Sequence, residues 1–139
     1  LNDIVKSALH FLKPEFEKNN ITIINSSENQ TVFVDEKMIE RCLINLYLNA
    51  IFAVSDNVER TIKTEIKTHN KRIVLSVEDN GVGIQKEIQD KIFLPFFTTR
   101  SGGSGIGLTL SKSIIEAHKG YLNYKPLEQG SRFEIWFMD

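Results

Sequence analysis

Residues 36–54 read as a helix that is apolar nearly all the way round. Ile39, Cys42, Leu43, Leu46, Ala50 and Ala53 make one stripe, and Ile44, Leu48 and Ile51 occupy the far side. Such a helix is expected to be largely buried, so the rest of the chain must supply a surface beneath it and elements beside it. Asp35 is placed to cap its start. Asn45 and Asn49, four positions apart, share a narrow polar wedge in this surface. Buried amides need partners. Structural hydrogen bonds to neighbouring backbone would satisfy them, and so would a polar ligand.

With 139 residues, 41% of them hydrophobic and 25% charged, the chain is expected to form one globular domain spanning 1–139. A formal net charge of −1 and the lack of a basic run give no support to nucleic-acid binding. A single cysteine, Cys42, excludes an intramolecular disulfide and reads as a buried thiol. No apolar stretch reaches the roughly 18–20 residues that span a bilayer. The start, Leu1-Asn2-Asp3-Ile4, is neither an initiator methionine nor a signal peptide, and reads as the start of a piece of something longer.

Around the central helix the patterns alternate. Residues 3–19 form an amphipathic helix through Ile4, Ala8, Leu9, Phe11, Leu12 and Phe16, with Pro14 predicting a kink or restart. Residues 21–24 and 31–34 read as two strands joined by a polar stretch. Residues 61–68 and 72–78 alternate as a hairpin with its turn near His69-Asn70. Continuing that parity points Asp79 inward with Ile73, Leu75 and Val77. An inward carboxylate must be hydrogen-bonded or neutralised; bracing the Asn80-Gly81 turn would do this. Residues 104–118 form a helix with Ile106, Leu110, Ile114 and Ala117 on one face, ended by a left-handed Gly120. Strands at 121–124 and 131–138 close the chain. The architecture expected is an α/β two-layer sandwich, a mixed, mostly antiparallel sheet covered by helices on one face.

Two glycine-rich segments carry the chemistry. Asp79-Asn80-Gly81-Val82-Gly83 follows a strand, and Gly103-Ser104-Gly105-Ile106-Gly107 opens a helix whose free N–H groups suit phosphate. The Walker ending Gly-Lys-Ser/Thr is missing, and Leu110 stands where the dinucleotide spacing requires its third glycine. His10, His69 and His118 are scattered and give no zinc spacing. Magnesium suits the chain better, since it takes oxygen ligands while gripping phosphates, and the Asn49 amide oxygen is one such ligand.

In order and spacing these segments resemble sensor histidine kinases. Asn45-Leu46-Tyr47-Leu48-Asn49-Ala50 resembles their N box and Asp79-Asn80-Gly81-Val82-Gly83-Ile84 their G1 box. Ile92-Phe93-Leu94-Pro95-Phe96-Phe97-Thr98-Thr99 resembles the F box, and Gly103-Ser104-Gly105-Ile106-Gly107-Leu108 the G2 box. Gly130-Ser131-Arg132-Phe133 resembles the closing pattern. Each box alone is a weak signal, and five in order are a strong one. The chain is similar to the catalytic ATP-binding domain of a two-component histidine kinase, with the Bergerat fold shared by gyrase and MutL-type ATPases.

That resemblance implies ATP and Mg²⁺ as ligands, with Asn49 on the metal and Asn45 assisting at the ion or the phosphates. It implies that Asp79 accepts a hydrogen bond from the adenine amino group, with Gly81, Gly83 and Ile84 close to the base. Thr99, Gly103, Ser104, Gly105, Ile106, Gly107 and Leu108 are placed at the nucleotide under a lid of residues 90–104, with Arg100 reaching the γ-phosphate. Phe93 and Phe96 would dock a partner helix or pack under that lid. Related ATPases carry a water-activating glutamate where Asn45 stands, so transfer to another nucleophile is favoured over hydrolysis. The family's nucleophile is a histidine on a dimerising helical hairpin, a module expected to be absent here. His10 lacks the acidic neighbour of a phosphoacceptor and reads as structural. A response regulator is then an indirect partner, the location is cytoplasmic, and this piece is monomeric and touches no membrane. An ATP-driven clamp, a degenerate scaffold and a serine kinase of the anti-sigma type are the competing readings.

Overall fold

The structure, a computed structural model, describes residues 1–95 and 107–137. Its elements run α1 (Asn2–Lys18), β1 (Thr22–Ser27), α2 (Glu36–Ala53), β2 (Thr61–His69), β3 (Arg72–Asp79), α3 (Gly107–Ala117), β4 (Tyr121–Pro126) and β5 (Ser131–Trp136), with a 3-10 turn at Lys86–Lys91. One five-stranded sheet has the order β1-β2-β3-β5-β4. Its β1–β2 pair is parallel and the other three pairs are antiparallel. The three helices pack together, α2 between α1 and α3, and each touches the sheet. This is the mixed sheet with helices expected from sequence.

Sheet pairing explains which side chains are buried. Thr64 pairs with Val77 and Val77 with Phe133, while Ile66 pairs with Leu75 and Leu75 with Ile135. These rows face the helices and form the core with Ile39, Leu43, Leu46 and Tyr47 of α2. Tyr47 and Thr64, both fully buried, hydrogen-bond to each other through their hydroxyls, which allows two polar groups inside the core. The opposite sheet face carries Lys63, Glu65, Lys67, Lys125, Arg132 and Glu134. There Glu65 and Glu134 are buried beneath the stems of their cationic neighbours.

Several local expectations are corrected. Residues 31–34 form no strand. Val32 and Val34 do pack against the core while Phe33 is exposed. The preceding backbone is occupied by the start of α1 instead of a ladder partner: Asn2 Nδ2 donates to Glu28 O (3.1 Å), and Gln30 N donates to Asn2 Oδ1 (3.0 Å). Strand β1 instead runs on through Ser26 and Ser27, residues expected to form a connection. Helix α1 continues through Pro14 without a break. The hairpin turn falls at Asn70-Lys71, both left-handed at φ 51° and 67°, as a two-residue turn between twisted strands requires.

Helix α3 is rotated from the face read in sequence. Leu110 is 43% exposed, whereas Ser111, Ile114 and Ile115 are buried. The left-handed position after α3 belongs to Lys119 (φ 64°), not Gly120. Gly120 is needed for a different reason, since a β-carbon there would collide with the Trp136 carbonyl oxygen. Helix α2 is also less enclosed than its composition implies: Leu48 is 38% exposed.

Candidate functional site

Helix α2 is started by Asp35, whose side chain accepts from Met38 N at 3.0 Å. Nine and thirteen positions into the helix, its one polar wedge presents Asn45 and Asn49, both half-buried. Asn45 Nδ2 donates to Ser111 Oγ at 3.4 Å. The first residue of α3 lies beside it, for a β-carbon on Gly107 would sit 3.8 Å from Asn45 Cγ. The Asn49 side chain makes no hydrogen bond among the described residues. One amide of the pair is thus partly used by the fold, and the other has no side-chain partner among the described residues.

Strand β3 ends at Asp79 against the last turn of α2. Val82 N donates to Ala53 O at 3.3 Å, and Gly81 passes so close that a β-carbon there would collide with the same carbonyl. Only glycine permits that approach. Gly83 follows with φ 75°, and Ile84 packs partly buried against the core. The loop thus meets α2 at Ala53, one helical turn beyond Asn49, while Gly107 lies beside Asn45, one turn before it.

Asp79 is 5% exposed and lies on the core face of the sheet, paired with Ile62 and Ser131. Its carboxylate accepts from Gly81 N at 2.9 Å. Burial pushes its pKa up to about 6, against the opposing pull of backbone N–H groups from Gly81 and Ser131. The turn-bracing role read from sequence is therefore real. It does not exhaust a carboxylate with lone pairs for several donors.

Thr99, Arg100, Gly103, Ser104, Gly105 and Ile106 lie outside the described residues, as does Phe96. Phe93 packs edge-on against Phe133, with ring centroids 6.5 Å apart, and the Lys112 ammonium lies 5.5 Å from its ring centre. His10 is exposed on α1, along a groove lined by Leu9, Phe16, Ile21 and Ile23. His118 joins the end of α3 to the start of α2: its Nδ1 bonds Ile114 O at 2.8 Å and its Nε2 accepts from Asp35 N at 3.2 Å.

Sequence reasoning missed the residues that hold the Asp79 loop from outside. Asn57 Nδ2 donates to Asn80 O at 2.6 Å, and Gln129 Nε2 donates to Asn80 O at 3.1 Å and Gly81 O at 3.0 Å. Asn80 itself ties the loop to β2, accepting from Thr61 N and donating to Glu59 O. Long polar side chains in turns carry no periodic signal that would have picked them out.

A buried carboxylate, an amide without a partner among the described residues and a glycine-bearing helix start suit a ligand with both a hydrogen-bonding base and phosphates. Comparison with known proteins agrees. The family described as histidine kinase-, DNA gyrase B-, and HSP90-like ATPase matches residues 34–139. The chain belongs to this ATPase family. Among its relatives, sensor protein TdiS of Thauera aromatica is 35% identical over 97% of the chain and 26% of its own length. Sensor histidine kinase ZraS of Salmonella typhimurium is 35% identical over 98% of the chain and 30% of its own length. The chain thus spans between a quarter and a third of these relatives. Among solved structures, the nucleotide-free catalytic domain of histidine kinase ThkA superposes with a TM-score of 0.88 at 32% identity, covering 99% of this chain and 91% of that one. The sheet and helices of this family member are therefore those of histidine kinase catalytic domains.

Proposed function

We propose that the chain, as one domain of residues 1–139, binds Mg-ATP and donates the γ-phosphoryl group to a histidine on a separate dimerisation and phosphoacceptor hairpin of its parent kinase. The observation that carries this reading is the position of Asp79. A carboxylate held inside the core face at a strand end, on a loop that packs against the last turn of α2, is suited to read an adenine amino group.

Asp79 accepts from the base, while Gly81, Gly83 and Ile84 form the surface along which the base lies. Asn49, the amide with no partner among the described residues, offers its oxygen to Mg²⁺. Asn45 assists at the ion or the phosphates, and the start of α3 at Gly107 and Leu108 turns toward the phosphate chain, where helix N–H groups favour negative charge. Thr99, Arg100, Gly103, Ser104, Gly105 and Ile106 are assigned the remaining phosphate and lid contacts from the sequence pattern alone. Bound Mg²⁺ would neutralise charge on the phosphates. The acceptor histidine nitrogen attacks phosphorus in line as the bond to the β-phosphate bridging oxygen breaks, releasing ADP. An amide at Asn45 cannot take a proton from water, which favours this transfer over hydrolysis. A response regulator would receive the phosphoryl group next, as befits a relative of ThkA, whose complex with response regulator TrrA is known. The chain itself would act in the cytoplasm, where ATP is found, as a monomer without contact to membrane or nucleic acid.

Calorimetric titration with a non-hydrolysable ATP analogue, with and without Mg²⁺, tests the reading. Saturable binding is expected, with a magnesium-dependent component lost in Asn49→Ala. A folded chain that binds no adenine nucleotide would overturn it.

A further inference from the structure

The turn between β4 and β5 reaches across to the loop after Asp79. Gln129 lies 48 residues beyond Gly81, yet its side-chain amide donates to both Asn80 O and Gly81 O, at 3.1 and 3.0 Å. The next residue, Gly130, has φ 100° and runs against the Asp79 carbonyl. Ser131 then pairs with Asp79 in the ladder. Three consecutive residues of one turn therefore touch Asp79 or the two residues after it. A pocket opens between the turn and the loop, lined by Gly81, Val82, Gly83 and Ile84 on one side and by Tyr124 and residues 126–130 on the other. The Gln129 amide spans that gap.

We infer that Gln129 is a positioning residue for base recognition, holding the Asp79–Gly83 loop in register from the side opposite α2. This inference rests on the adenine-nucleotide reading above. Two facts separate the role from general support of the fold. Gln129 is exposed and belongs to no core cluster, so the hydrophobic interior does not depend on it. Its amide also meets the loop at the carbonyl of the Asn80–Gly81 peptide itself and at the carbonyl of the next peptide. The N–H of the Asn80–Gly81 peptide is the Gly81 donor that orients the Asp79 carboxylate. Fixing the plane of this peptide fixes the direction of the carboxylate lone pairs. Asn57, donating to Asn80 O from the β2 side, holds the same peptide from the other direction.

The test compares Gln129→Leu, which keeps the bulk without a donor, with Gln129→Lys, which keeps a donor of sufficient reach. Affinities for ADP and for the non-hydrolysable ATP analogue are measured by calorimetry, and amide hydrogen exchange across residues 79–83 is followed in the ligand-free chain. Gln129→Leu is expected to weaken both nucleotides by the same factor, about three- to tenfold, the usual weight of one hydrogen bond. Exchange at Gly81 should quicken while the β2–β3 ladder is unchanged, and Gln129→Lys should restore both readouts. Wild-type binding with an unaltered Leu variant, or a loss larger for the triphosphate than for ADP, would overturn the inference and leave the proposed function standing. Failure of the wild-type chain to bind either nucleotide would overturn both.

Discussion

Gly130 lies directly against Asp79: a β-carbon on Gly130 would fall inside the radius of the Asp79 carbonyl oxygen, and the backbone there sits at φ 100°. The residue that carries the carboxylate we assign to the base can keep its place in the sheet only because its neighbour in the turn has no side chain. Gly130→Ala should therefore cost on the order of 3 kcal/mol, from strain and collision together. Urea unfolding of the variant measures this. A change within about 0.5 kcal/mol of wild type, the range of neutral surface substitutions, would mean that the turn moves aside freely.

Asp79 predicts a pH dependence with a definite sign. Its folded pKa of about 6 lies above the ordinary carboxylate value because burial disfavours the charge. The protonated form therefore contributes stability that is complete below about pH 4 and lost as pH rises through about 6. Asp79→Asn should remove that slope, flattening stability between about pH 4 and 6 by on the order of 2 kcal/mol relative to wild type. Parallel curves for the two proteins in ligand-free denaturation would contradict the burial of this charge.

The Cys42 thiol is fully buried, donates to Ser111 O at 3.8 Å, and is pushed by burial up to about 11. Thiolate is the reactive form. The native chain should resist a disulfide reagent at pH 8 for hours and react at once in guanidinium chloride. Rapid stoichiometric labelling of the native chain would place α2 and α3 further apart than they are here.

Glu134 governs the opposite sheet face. Burial works against its ionisation, but the Trp136 indole, the Asn123 amide, Lys125 and Arg132 outweigh it and hold its carboxyl below the usual range. Its contribution is present above the unfolded value of about 4.3 and lost as pH falls through the folded one. Glu134→Gln should cost about 1–2 kcal/mol at pH 7 and far less in acid. A cost independent of pH, read from unfolding curves at both conditions, would assign the loss to packing instead.

Periodicity and composition in the sequence determined the helices, the β2–β3 hairpin, the inward parity of Asp79 and the apolar character of α2. Each follows from the side-chain repeat of one element, which is local. The glycine boxes and their order determined the family, because close backbone approach leaves glycine in the sequence. Tertiary structure alone decided the rest. Val32 and Val34 alternate like a strand, yet the backbone just before them is taken by Asn2, so no ladder forms. Leu110 looks like a core residue, but Ser111 faces α2, because helix rotation is set by what packs against it. Gln129 reaches the Asp79 loop only because the sheet order puts β5 beside β3, and no local repeat encodes a contact between residues 48 positions apart.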